Sequence, residues 1–184
     1  MNKKALIVLA VFFCFAGFFS LAAAKTTKSW SPIKITIIPG FLGFPEKSNI
    51  YGLNLGIGTS TGKNQKVDGV DMALAGAISD NVTGLQMAGL AAYCKDFEGV
   101  QLSGAVVKFV KGSGLQISIV TENVNAETAV QIGVGNVATK SKSIFQLGFI
   151  NNSDRSHGLQ IGFLNRMDNG FLPMSFLFNF SVSK

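Results

Sequence analysis

The chain has 184 residues, 47% of them hydrophobic and 21 of them glycine, with 16 Lys and Arg against 10 Asp and Glu. Beyond the first 24 residues the cations fall singly in the intervals between repeats, at Lys95, Lys108, Lys111, Lys140, Lys142, Arg155 and Arg166, which argues against nucleic acid as a partner because phosphate binding needs clustered charge. A lone histidine, with one cysteine outside the leader, supplies no ligand set for zinc or another transition metal.

The first segment reads as an address. Asn2, Lys3 and Lys4 make a basic start, Ala5 to Ala23 is almost wholly apolar, and Ala22-Ala23-Ala24 places small residues before Lys25. This predicts a secretory signal peptide over residues 1–24, cleaved near Ala24. A membrane anchor is the alternative, since about twenty apolar residues can span a bilayer. Polar Lys25-Thr26-Thr27-Lys28 favours cleavage, and Cys14 follows Phe12-Phe13, without the small residue of a lipoprotein site. Residues 25–184 then form one all-β repeat domain with no linker inside it. Cys94, alone there, reads as a buried and inert thiol.

Ile33, Ile35 and Ile37 alternate with Lys34 and Thr36 before Pro39-Gly40 stops them, which predicts a strand. A short unit follows, starting at Gly52, Gly69, Gly84, Gly99, Gly114, Ala129, Ile144, Gly158 and Phe171. Its second and fourth positions are apolar, as in Gly84-Leu85-Gln86-Met87 and Gly114-Leu115-Gln116-Ile117. Between them stands Gln at Gln86, Gln101, Gln116, Gln131, Gln146 and Gln160. Apolar, polar, apolar is the period of a half-buried strand, with Gln expected to face water and the apolar pair a packed interior. The second half of each unit is rich in turn formers, as in Asn151-Asn152-Ser153-Asp154. Helix is excluded from the repeat by its recurrent glycine and the lack of a 3.6-residue period.

About ten short strands result, one per ~15-residue unit. Two architectures absorb them. A parallel β-solenoid explains why Gln recurs in every copy; an antiparallel up-and-down meander tolerates the later, shorter intervals and closes into a barrel without free edges. Residues 138–143 offer little to bury, which favours the barrel and leaves the solenoid as the alternative. The terminal run, in which Leu172, Met174, Phe176, Phe178, Phe180 and Val182 alternate with other residues, is similar to the closing strand of outer-membrane barrels. The second, fourth and sixth positions of a unit span only about 14 Å, short of the ~25 Å apolar band of such barrels.

Residues 31–37, the following Ile50-Tyr51-Gly52-Leu53-Asn54-Leu55, the phrase at residues 158–165 and the closing residues 171–180 together resemble the bacterial surface-repeat protein family. Members carry tandem copies of a similar phrase between similar ends. The resemblance implies export and a cell-envelope, outer-membrane or surface location, and implies no reaction.

Catalytic, cofactor and metal sites are all expected to be none. His157 precedes a repeat glycine in a turn. Residues 56–63, Gly-Ile-Gly-Thr-Ser-Thr-Gly-Lys, miss the glycine spacing of a phosphate loop. The acidic pairs Asp68 with Asp71 and Asp96 with Glu98 have nothing converging on them. Phe145, Phe149, Phe163, Phe176, Phe178 and Phe180 read as core or membrane-facing rather than as a ligand cage. The expected function is that of a non-enzymatic cell-envelope protein, associated with or inserted in the outer membrane, with lipid as its possible partner. The alternatives are a soluble periplasmic barrel holding an apolar ligand and a solenoid-type surface adhesin.

Overall fold

The computed structural model describes residues 29–38, 42–44, 48–60, 65–154 and 157–181. The leader and residues 61–64 of the glycine-rich stretch lie outside them. The strands are β1 (Ser29–Ile38), β2 (Leu42–Phe44), β3 (Ser48–Ser60), β4 (Lys66–Ala88), β5 (Ala91–Ser103), β6 (Val106–Ile117), β7 (Val120–Ala138), β8 (Ser143–Ser153), β9 (His157–Met167) and β10 (Met174–Ser181). They form one sheet in the order β10-β9-β8-β7-β6-β5-β4-β3-β1-β2.

The fold is a parallel β-solenoid of about eight turns, not the antiparallel barrel. From β3 to β9 every neighbour runs parallel, and equivalent residues of successive units sit side by side: Gly84 beside Gly99, Gln86 beside Gln101, Gln101 beside Gln116. A fifteen-residue interval returns the chain to the same point one strand spacing further on, so like residues stack. Antiparallel pairing among the described strands is confined to the ends, where β2 lies on β1 and β10 on β9.

Each coil is flat and has two legs. The first leg carries the repeat phrase; a tight turn, Gly104-Ala105 in one copy, leads to the second leg, and a bend near Lys95-Asp96 returns the chain to the next coil. The interior is one side chain wide. Its columns run along the molecule: Ile50, Val67, Val82 and Phe97 at the entry of the first leg, the Gln column at its centre, and Cys94 and Phe109 on the second leg. Phe97 and Phe109 stack with centroids 5.5 Å apart, closing the largest apolar cluster.

The apolar and polar faces are reversed from expectation. All six repeat glutamines have no exposed surface, whereas Leu85, Met87, Val100 and Leu102 are half-exposed on the outside. In β1 the same inversion buries Lys34 and Thr36 and exposes Ile33, Ile35 and Ile37. The reason is hydrogen bonding. Gln101 Nε2 donates to Gln86 Oε1 at 2.8 Å and Gln116 Nε2 to Gln101 Oε1 at 3.0 Å, and the ladder continues through Gln131, Gln146 and Gln160. The same amides also donate across the gap to second-leg carbonyls, Gln116 to Glu122 and Gln131 to Val137. A buried amide satisfied in this way carries no desolvation penalty that would drive it outward.

Glycine is required at the head of five of the first legs, whereas Ala129 and Ile144 fill that position in two others. Gly52, Gly69, Gly84, Gly99 and Gly158 have φ from +123° to +145°, and a Cβ on Gly99 would lie 1.9 Å from the carbonyl oxygen of Gly84. Residues 138–143, which appeared to have nothing to bury, need little in so narrow a coil. Ala138, Ser141 and Ile144 point inward, and Ser141 Oγ bonds Asn123 Oδ1.

Candidate functional site: an apolar outer face

Because the repeat's second, fourth and sixth positions face outward, they build a surface. β1 opens three columns with Ile33, Ile35 and Ile37, paired beside β3. β10 ends them with Phe180, Phe178 and Phe176: Phe180 lies beside Leu159, Phe178 beside Ile161, and Phe176 meets the Phe163 ring edge-on at 5.7 Å. Every intervening coil contributes one apolar side chain to each column except at Gly89 and Gly104, and no charged or polar side chain enters any of the three. Ten rungs, one each from β1, β3 and β5 to β10 and two from the long β4, at ~4.8 Å spacing and with four residues of strand width give a face about 43 Å by about 13 Å.

Its members are open to solvent: Leu74 is 77% exposed, Phe176 66% and Phe163 57%. Phe149 and Phe163 stack at 4.9 Å, continuing the strand ladder as an aromatic one. Where the fifth position is Gly133, Gly148 and Gly162, an open groove of about 680 Å³ runs between the fourth and sixth columns, walled by Ile132 and Leu147 on one side and Val134 and Phe149 on the other. Monomeric proteins rarely leave an apolar patch of several hundred Å² uncovered unless something binds it.

The other candidates disperse. Asp71 and Asp68 face opposite ways. Asp68 pairs with Lys66 at 3.2 Å on the surface, while Asp71 is buried at the head of the Gln ladder, accepting from Asn54 Nδ2 at 2.8 Å, Ser79 Oγ at 2.8 Å and Gln86 Nε2 at 3.0 Å. Burial lowers the pKa of nearby Lys34, with the Asp71 charge acting against that shift. Asp96 and Glu98 stay exposed. No group of three potential metal ligands occurs among the described residues. His157 touches Ser181 Oγ at 3.5 Å at the seam with β10. Cys94 is buried, and burial pushes its thiol up to about 12. The glycine-rich stretch begins as ordinary β3 strand, with Thr59 buried. The six phenylalanines read from the sequence lie on the outer face, Phe145 half-buried and the others exposed.

The face escaped sequence reasoning because period two shows that two sides differ without showing which is inside. The sixth-position side chains, from Ile57 and Leu74 to Phe149 and Phe163, carry the missing signal. A strand with three apolar positions on one side, opposite a Gln that recurs in register and a small fifth-position residue, fits a stack whose amides bond from coil to coil and so take the inside. No protein-family model matches the chain, and no curated protein or solved structure matches it either.

Proposed function

We propose that this chain is a non-enzymatic, solenoid-type surface protein of the cell envelope that works by contact, with the apolar outer face as its contact element. The observation carrying this reading is that face: three apolar columns, broken only at Gly89 and Gly104, on a frame whose interior is filled by its own hydrogen-bonded side chains. Apolar exposure on this scale costs solubility, and a contact that covers it offsets that cost. The leader-like start and the resemblance to surface-repeat proteins support the envelope as the place of contact.

The test has two arms. Protease treatment of intact cells exporting the chain should cleave it. Purified protein should adhere to octyl-coated beads, and Leu102→Glu with Ile132→Glu should lower adhesion at least tenfold while Lys111→Glu, on the charged edge, leaves it unchanged. A chain found only inside the cell, or a face variant that adheres as well as the parent, overturns the reading.

A further inference from the structure

The apolar surface does not stop at the flat face. It continues round the tight turn between the legs, through Leu90, Val106, Val120 and Ile150, all exposed. The opposite edge of the flattened coil is charged, with Lys95 paired to Asp80 at 2.6 Å and Lys142 paired to Glu127 at 2.5 Å. The molecule is therefore amphipathic across its thickness, apolar on the first-leg face and the tight-turn edge, and polar on the other edge and on the second-leg face, where Lys108 pairs with Glu122 at 2.6 Å.

Resting on the contact reading above, we propose that the partner is the hydrocarbon of a lipid leaflet, on which the solenoid lies with its long axis in the membrane plane and its tight-turn edge deepest. Three observations select lipid over a second copy or another protein. A flat partner can cover the face or the convex edge, whereas acyl chains conform to both. No cation or anion lies within the three columns, so nothing in them must keep water or a counter-ion.

The third concerns the backbone. Peptide groups entering hydrocarbon must be bonded internally, and a turn is where that normally fails. Here the turns bond coil to coil. Leu90 N donates to Ala75 O at 2.8 Å, Ala105 N to Leu90 O at 3.0 Å, Val120 N to Ala105 O at 2.9 Å and Gly135 N to Ile119 O at 3.0 Å. Coil-to-coil bonding thus continues through these turns. The ~13 Å depth of the face suits one leaflet of a ~30 Å hydrocarbon core, and the charged edge and the second-leg face with its Lys108–Glu122 pair stay turned to water. This is insertion from one side, without a barrel.

The experiment uses the full chain with a single reporter tryptophan and vesicles of phosphatidylcholine, with and without an equal share of phosphatidylglycerol. Trp30→Phe is combined with Ile119→Trp at the tight-turn edge or with Lys111→Trp at the charged edge, and quenching by bromine-labelled acyl chains is read. Quenching at position 119 at least threefold stronger than at position 111, in both lipid mixtures and at low and high salt, supports the proposal. Circular dichroism confirms that each variant is folded. Equal quenching at the two positions, or none at 119, overturns it. A dimer by sedimentation whose position 119 stays unquenched assigns the face to a second copy, which sinks the lipid inference and leaves the contact reading standing.

Discussion

Gln116 illustrates how a polar residue becomes core. Its amide accepts from Gln131 at 3.1 Å and donates to Gln101 at 3.0 Å and to the Glu122 carbonyl at 3.0 Å. Gln116→Leu keeps the volume and orphans a donor above, an acceptor below and a carbonyl opposite. At roughly 1–3 kcal/mol per buried group left unmade, a loss of about 3 kcal/mol or more in urea unfolding is expected. Gln160 sits at the ladder's end with Oε1 already unpartnered, so Gln160→Leu should cost clearly less. Equal losses would mean that the ladder adds nothing beyond side-chain volume. The identity of these residues was legible in the sequence, and their direction was not. Hydropathy sends Gln outward unless a partner is known one coil away, and that partner exists only once the coils are stacked.

Cys94 adds a pH signature at the same scale. Its thiol donates to the Asp96 carbonyl at 3.1 Å. Burial first, then the charges of Asp71, Asp96 and Asp80, hold its pKa up from 9.0 to about 12. A raised pKa means that the protonated thiol's contribution is complete below the unfolded value near 9 and is lost as pH climbs towards 12. Three pKa units correspond to about 4 kcal/mol. The parent should therefore lose stability more steeply than Cys94→Ala between pH 9 and 12 in parallel urea melts. Comparing the two slopes cancels Lys34, whose lowered pKa acts in the opposite sense in both proteins. Coincident slopes would show that the thiol titrates freely.

At the scale of elements, the coil changes its filling along the chain. In the earlier coils Ala73 and Ala88 on the first leg meet Ala77, Ala92 and Val107 on the second. In the later ones the first leg has Gly133, Gly148 and Gly162, and the second has Asn136, Asn151 and Asn165, all buried. Each asparagine takes the space that the glycine vacates: a Cβ on Gly148 would lie 2.4 Å from Asn136 Nδ2 and 2.2 Å from the Gly133 carbonyl. Asn136 Nδ2 donates to Asn151 Oδ1, and Asn151 Nδ2 to Asn165 Oδ1, both at 2.7 Å. These donors point towards the C-terminal coils, opposite to those of the Gln ladder, so the two dipole rows oppose each other. Gly148→Ala should cost more than about 2 kcal/mol through overpacking. Gly135→Ala, with nothing within 4 Å of the added methyl, should be neutral or stabilise by up to about 1 kcal/mol. Similar losses in thermal melts would contradict the pairing. Strand content was legible from alternation. Parallel stacking was obscured because residues 138–143 appeared to lack core, a judgement that assumed a coil wide enough to need large side chains.

At the scale of the molecule, each coil touches only its neighbours, so stability is a sum of coil and interface terms capped at both ends. The caps are β2 against β1 and β10 against β9, antiparallel strands that stop the stack, and β10 places Asn179 beside Gln160 where a further glutamine would stand. This geometry makes length adjustable and phase fixed. Deleting residues 99–113 removes one fifteen-residue period and joins Glu98 to Gly114. Gln86 then meets Gln116, Ala92 meets Thr121, the second and fourth outer columns close up unbroken, and the sixth keeps only its gap at Gly89. Deleting residues 99–105 instead advances the phase by an odd number, turning the following apolar side chains into the narrow interior and the glutamines outward, where their ladder cannot form. The full-period deletion should retain a β circular dichroism spectrum and cooperative melting, with a midpoint lower by several degrees for the lost interface. The partial deletion should lose cooperative melting altogether. If both deletions fold, or both fail, the columns do not hold the molecule together and the outer face is not a product of their register. The inversion of the strand follows from the same constraint. Amides that bond along the axis hold the inward position at the centre of the first leg, and strand alternation then puts the repeat's second, fourth and sixth positions on the surface, where a contact can use them.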